Sequence, residues 1–285
     1  MHRWKVKPQV KSYLISVLMA ALLLAGCATG PADKQAQSNA ADRVMAAYDV
    51  ADLLDQAAPA VSQSLNKNLP EEIGASERER LRAAIVEAYD PQQLQDDVQQ
   101  RLRENADNSG KSSALVSAAQ ALETPLAARM IGLEAKTGET GFAANFREFI
   151  DQPASAERKQ RLRQIDLLAN DMQIIELQTS FNVTLLEAMI RARNAASPDE
   201  YHVPEQRVDQ MVGETRSNIH GQLEKRVPLM LLYVYRDVSD SELQAYAQLQ
   251  GRPELAWTNE ALKKAIISAL DSASERVIDN YNKAS

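Results

Sequence analysis

Apolar residues in this chain recur at steps of three and four, and no segment sustains an alternation of apolar and polar positions. Steps of three and four place side chains on one face of an α-helix, whereas a half-buried strand needs a period of two. Val44, Tyr48, Ala51, Leu54, Ala58, Val61, Leu65 and Leu69 trace one such stripe, predicting a long helix from Ala41 to Leu69 with a bend at Pro59. Leu162, Ile165, Leu168, Met172, Ile175, Thr179, Val183, Leu186 and Ile190 trace a longer one, ending near Ala196. As a single helix it would be roughly 60 Å long, with a break expected near Ser180. Leu262, Ile266, Ala269, Ala273, Val277 and Tyr281 mark the last helix. Composition agrees: only 10 of 285 residues are Gly and 5% are aromatic, while the helix formers Ala, Leu, Gln, Glu and Arg abound. The expected fold is all-α, a multi-helix bundle of about ten helices.

Local signals punctuate the stripes. Ser76 with Glu79, and Ser239 with Glu242, have the spacing of a capping box, in which the first residue caps the helix and the acid returns the hydrogen bond. Asp90 precedes Pro91, a start signal, with Leu94, Val98 and Leu102 as the buried face. A loop is expected over Asn105–Lys111, then a helix over Ser112–Leu122 that breaks at Thr124-Pro125. The next helix carries Leu126, Met130 and Leu133 and stops near Gly138; Phe142, Phe146 and Phe149 then suit a short helix plugging a core. Ser197-Pro198-Asp199 is a stop, and a helix follows from Pro204 to about Arg226. Val227 to Tyr235 is apolar all round and should be the most buried segment, provided the hydroxyls of Tyr233 and Tyr235 find partners.

The N-terminus has a different logic. Arg3, Lys5, Lys7 and Lys11 precede an apolar run of 13 residues, Ser12 to Leu24, too short for a bilayer span of about 20 residues. It ends in Leu24-Ala25-Gly26-Cys27, which resembles the lipobox of bacterial lipoproteins at all four positions. That resemblance implies a signal peptide over residues 1–26, removed before Cys27, and diacylglycerol on the Cys27 thiol with acylation of its amine. Ala28, where Asp would hold an enteric lipoprotein in the inner membrane, points to the periplasmic face of the outer membrane. Residues 27–41 read as the lipidated Cys and a flexible tether, since Gly30-Pro31 breaks structure and no apolar stripe is present. Losing the four basic residues of the signal leaves 28 basic against 39 acidic side chains. An acidic surface of this kind repels phosphate backbones, so nucleic acid is not an expected partner.

Ser113, Leu115 and Pro125 match Ser241, Leu243 and Pro253 at an offset of 128 residues. Duplication and coincidence both account for so short a match. Leu232-Tyr233-Val234-Tyr235, followed by Val238-Ser239-Asp240-Ser241-Glu242-Leu243, Tyr246, Leu249 and Pro253, resembles the secreted helical family called domain of unknown function 2059. Leu122-Glu123-Thr124-Pro125-Leu126 resembles the same family break. Arg252 stands where that family has Ser, and the Gly after the Pro is missing. The resemblance implies helical architecture and an envelope location, and no activity. With the offset match it suggests two related helical halves, residues 42–151 and 152–285.

Motifs for chemistry are sparse. Cys27 is the only Cys, so a disulfide framework and a multi-Cys zinc site are excluded, and lipid consumes its thiol. His202 lies in a loop and His220 within a helix, 18 residues apart and outside any metal-binding spacing. Asp96-Asp97 and Glu71-Glu72 read as solvated acids, and Met45, Met130, Met172, Met189, Met211 and Met230 as core fillers. No phosphate-binding loop or nucleophile elbow occurs. No catalytic residue, metal or cofactor is expected, and the leading functional reading is a non-enzymatic envelope lipoprotein with a structural or protein-contact role. The alternative is a carrier or sensor binding a small or apolar ligand between helices, which a large apolar cavity would favour.

Overall fold

The last helix organises the molecule. In a computed structural model describing residues 32–70, 73–153 and 155–283, Pro253–Lys283 forms one helix of 31 residues. Ala261, Ala265, Ala269 and Ala273 are all buried along it at steps of four. A ridge of such small side chains lets neighbouring helices approach closely. The elements before it are α1 (Ala32–Ala47), α2 (Val50–Asp55), α3 (Ala57–Asn68), α4 (Ala75–Ala88), α5 (Pro91–Asn108), α6 (Ser112–Leu122) and α7 (Pro125–Glu134). A 3-10 turn (Ala135–Gly138) leads to α8 (Phe142–Asp151), α9 (Ala156–Asp171) and α10 (Ile174–Ala196). A second 3-10 turn (Asp199–Tyr201) leads to α11 (Glu205–Val234), α12 (Asp240–Gln250) and α13 (Pro253–Lys283). The fold is all-α, with no strand among the described residues.

α13 packs against α4, α5 and α6 on one side and α10 on another, while α11 packs on α9 and α10. One continuous apolar core runs through all of them. The segments matched at the 128-residue offset do share a local form: α6 and α12 each end shortly before a Pro that opens the next helix, and Leu115 and Leu243 are both buried.

Several starts lie where expected. Asp90 Oδ1 accepts from the Gln93 amide at 2.9 Å. Ser239 and Glu242 form the reciprocal capping box. Thr124 caps α7, with Pro125 in its first turn. Others differ. Gly74 precedes α4, so Ser76 sits inside the helix and bonds Glu77 rather than capping. The loop after α5 is short, because that helix continues to Asn108.

Residues 28–41, read as a coil, are helical from Ala32 onward, and Ala40 and Ala41 are fully buried. The reason is the packing of α1 on α6, itself rich in buried Ala. A stripe of Ala on both helices is apolar enough to pack but carries little pattern. The helix expected over Ala41–Leu69 is three helices, broken at Asp49 and Gln56 rather than at Pro59, which lies harmlessly in the first turn of α3. The long helix ending at Ala196 is likewise two, broken at Met172–Gln173 and intact at Ser180.

Asp97 is not a freely solvated acid. Arg276 Nη1 meets its Oδ2 at 2.8 Å, while Nη2 of the same guanidinium donates to the Ala88 carbonyl, joining α13 to α5 and to the end of α4. Asp96 is exposed. Glu71-Glu72, Cys27, the signal segment and the first residues of the tether lie outside the described residues. Among the described residues no helix is long and apolar enough to cross a membrane.

Candidate functional site

Two corners of the chain have strained backbone. Asp49 (φ 46°) and Gln173 (φ 56°) are the only non-glycine residues with positive φ among those described. Such residues cost on the order of 1–3 kcal/mol each and persist only where the surroundings hold them. Both flank the same space. Tyr48 and Val50 beside the first corner, and Met172, Gln173 and Ile174 at the second, line a cavity of about 600 Å³.

Three helices turn one apolar stripe each toward this cavity: Ile174, Leu177, Phe181 and Leu185 of α10; Ile219, Leu223 and Val227 of α11; Leu262 and Ile266 of α13. α2 adds Val50 and Leu53, and Pro59 and Ala60 of α3 stand at an exposed rim with Asp55. The steps of three and four that predicted a filled core here line an open space instead. Ile174, Leu177, Ile219 and Leu223 are accordingly only half-buried.

Polar residues also line the cavity, from Gln63 and Gln178 to Arg226 and Lys263, and one polar cluster gathers at Glu134. Glu134 is the last residue of α7. Tyr235 donates its hydroxyl to Glu134 Oε1 at 2.5 Å, and Tyr246 donates to the same oxygen at 3.1 Å. The two phenol rings pack edge to face, with centroids 6.2 Å apart. Tyr48 donates to Gln250 Oε1 at 3.4 Å, and Asn259 of α13 binds the Asp171 carbonyl at 3.3 Å. Burial raises the Glu134 pKa to about 7, against the lowering effect of the two phenol bonds. Burial first, then the Glu134 charge, raises the pKa values of Tyr48, Tyr235 and Tyr246, so all three remain donors.

The expected segment Val227–Tyr235 is buried, but most of it is filled core. Met230, Leu231 and Leu232 are enclosed by protein, and Tyr233 packs among Phe142, Phe146 and Phe149 of α8 with Arg236 over its ring. Only Val227 meets the cavity, and only Tyr235 reaches the polar cluster. His202 Nε2 contacts the Ser197 carbonyl at 2.9 Å in the connection between α10 and α11, and His220 pairs with Glu176 at 3.0 Å on the half-exposed face of α11; neither lines the cavity. Met45, Met130, Met172, Met189 and Met230 are buried, with Met211 half-buried. No group of three or more metal-binding side chains converges among the described residues.

Sequence reasoning passed over Glu134, Gln250 and Asn259. A signal was present: Ala127, Ile131 and Glu134 share one face of α7, and Leu243, Tyr246 and Gln250 one face of α12. A polar residue continuing an apolar stripe marks a buried polar group. Comparison of the chain with protein-family models, with curated proteins and with solved structures finds no match.

Proposed function

We propose that this chain is a lipid-anchored cell-envelope protein whose helical domain binds a small apolar or amphipathic molecule, as carrier or sensor. The cavity between α2–α3, α10, α11 and α13 carries this reading. Its volume of about 600 Å³ falls within the 300–1,000 Å³ range of ligand sites, and its apolar walls with a few convergent polar groups have their composition. A void of that size in a helical core forfeits packing contacts, which an occupant would restore. The cavity therefore favours the ligand-binding alternative over a purely structural or protein-contact role. Glu134 and the tyrosines act in binding, and no reaction is assigned to them.

The direct test is uptake of a neutral apolar fluorophore such as Nile red by the purified helical domain. Saturable, enhanced emission is expected. Leu223→Trp, which fills the cavity from α11, should weaken it at least tenfold while leaving the helical circular dichroism unchanged. Absence of saturable uptake by the folded domain rejects the reading.

The anchor belongs to the same proposal. Lipid on Cys27 would tether the domain at the periplasmic face of the outer membrane, the lipobox match and Ala28 being its support. Cys27→Ser should abolish palmitate incorporation and leave the precursor uncleaved.

A further inference from the structure

Glu134 has one carboxylate oxygen without a donor. Oε1 takes both phenol hydroxyls, and no donor among the described residues reaches Oε2, although the side chain faces the cavity. Beside it, Gln250 is fully buried and its Nε2 has no acceptor. An ionised carboxylate facing an apolar space is unfavourable unless a cation or donor meets it. Among the described residues no cation acts on Glu134: burial and the two phenols do. Lys263, in the wall of the same cavity, is held by Gln173 at 3.2 Å and Glu260 at 2.5 Å. Arg226, also in the wall, has an interaction of its own. The phenols of Tyr235 and Tyr246 that bond Glu134, and Tyr48 and Gln250 next to them, are uncharged. Electron-rich phenol rings next to a carboxylate are surroundings that suit a cation. The end of α7 adds the partial negative charge of its carbonyls.

We propose that the ligand is a cationic amphiphile, whose primary or secondary ammonium donates to Glu134 Oε2 while its apolar body lies along the stripes of α10, α11 and α13. This rests on the ligand-binding reading above and adds the chemistry of the head. An ammonium both fills the vacant acceptor and neutralises the carboxylate. A neutral hydroxyl can donate but leaves the charge uncompensated. A carboxylate head sets like charge against like and enters only with a shared proton. Because Glu134 must be ionised to hold an ammonium, affinity rises as pH climbs through the neutral range, where an alkylamine is still protonated.

Displacement of Nile red by octylamine, octanol and octanoate tests this, since the three share one tail. On the unmodified domain, octylamine should displace at least tenfold more effectively than octanol, and octanoate least, with the octylamine advantage growing between about pH 5 and pH 8. Glu134→Gln should erase the octylamine advantage over octanol, whereas Asp55→Asn, at the exposed rim, should preserve it. An advantage that survives Glu134→Gln would trace to the overall acidity of the domain and overturn the inference. So would equal displacement by all three, or a preference for octanoate. If Nile red binds yet none of the three displaces it, the head-group inference falls while the cavity reading stands. If Nile red does not bind the folded domain, it is the cavity reading that fails.

Discussion

Residues 205–226 and 227–234 belong to one helix, α11, yet every residue buried in that helix lies in the second stretch. The first carries Glu205, Arg207, Asp209, Glu214, Arg216, Glu224, Lys225 and Arg226, together with Gly213 and Gly221; the second carries no charge. Pro228 stands just past the junction and lacks an N–H, so the Glu224 carbonyl goes without its helical bond there. The charged stretch contributes Ile219 and Leu223 to a cavity wall. The apolar stretch is packed against α8 and α9, and Arg161 donates to the carbonyls of Tyr235 and Val238 beyond its end. Helical continuity thus says little about local stability. Sparse packing marks the part of a helix that can yield to a ligand, and dense packing the part that holds the fold.

The widest separation between the stretches should come from matched truncations. Leu231→Ala removes a fully packed side chain and should destabilise by about 2–5 kcal/mol in denaturant unfolding. Leu223→Ala removes one that already borders open space, and should lose less than about 1 kcal/mol. Equal losses would mean that the two stretches are packed alike.

Tyr235, the residue just after the buried stretch, contacts Glu134 and predicts a pH effect of comparable size. An acid with a raised pKa binds its proton more tightly in the folded state than in the unfolded one. Its ionisation therefore lowers stability as pH rises from about 4.5 to about 7, by on the order of 3 kcal/mol. Glu134→Gln, which still accepts both phenols, should flatten that slope. An unchanged slope would assign the pH dependence to other acids.

Smaller effects sharpen the contrast at its edges. Ser239→Ala, just beyond the buried stretch, removes the capping box of α12 and should cost roughly 1 kcal/mol. Gly213→Ala, in the charged stretch, should stabilise by about 0.5–1 kcal/mol, because a Cβ there meets no atom within 4 Å. A loss of stability instead would show that Gly213 abuts something in solution.

The all-α fold, the buried faces of α5 and α13, the start of α5 at Asp90 and the cap of α12 at Ser239 were legible in the sequence alone. Each depends on neighbours within one or two helical turns: a repeat of apolar residues, a side-chain oxygen beside the first amides, a Pro where no amide is needed. The capping box read at Ser76 shows the limit of such signals, since Gly74 admits the chain into α4 two residues sooner.

Tertiary structure decided where the long stripes break, what the stripes face and what Glu134 is. The corners at Asp49 and Gln173 take positive φ without glycine, a conformation that Asp visits more readily than Gln, and no apolar repeat marks either one. Periodicity places Leu177, Leu223 and Ile266 on inward faces, but whether a partner fills the space opposite them depends on how α10, α11 and α13 are set against one another. Glu134 became a half-buried acid with one free oxygen only because Tyr235 and Tyr246, 101 and 112 residues further along the chain, converge on its other one. A charge, a void and an unmet hydrogen bond are properties of an assembled environment, and no single segment contains them.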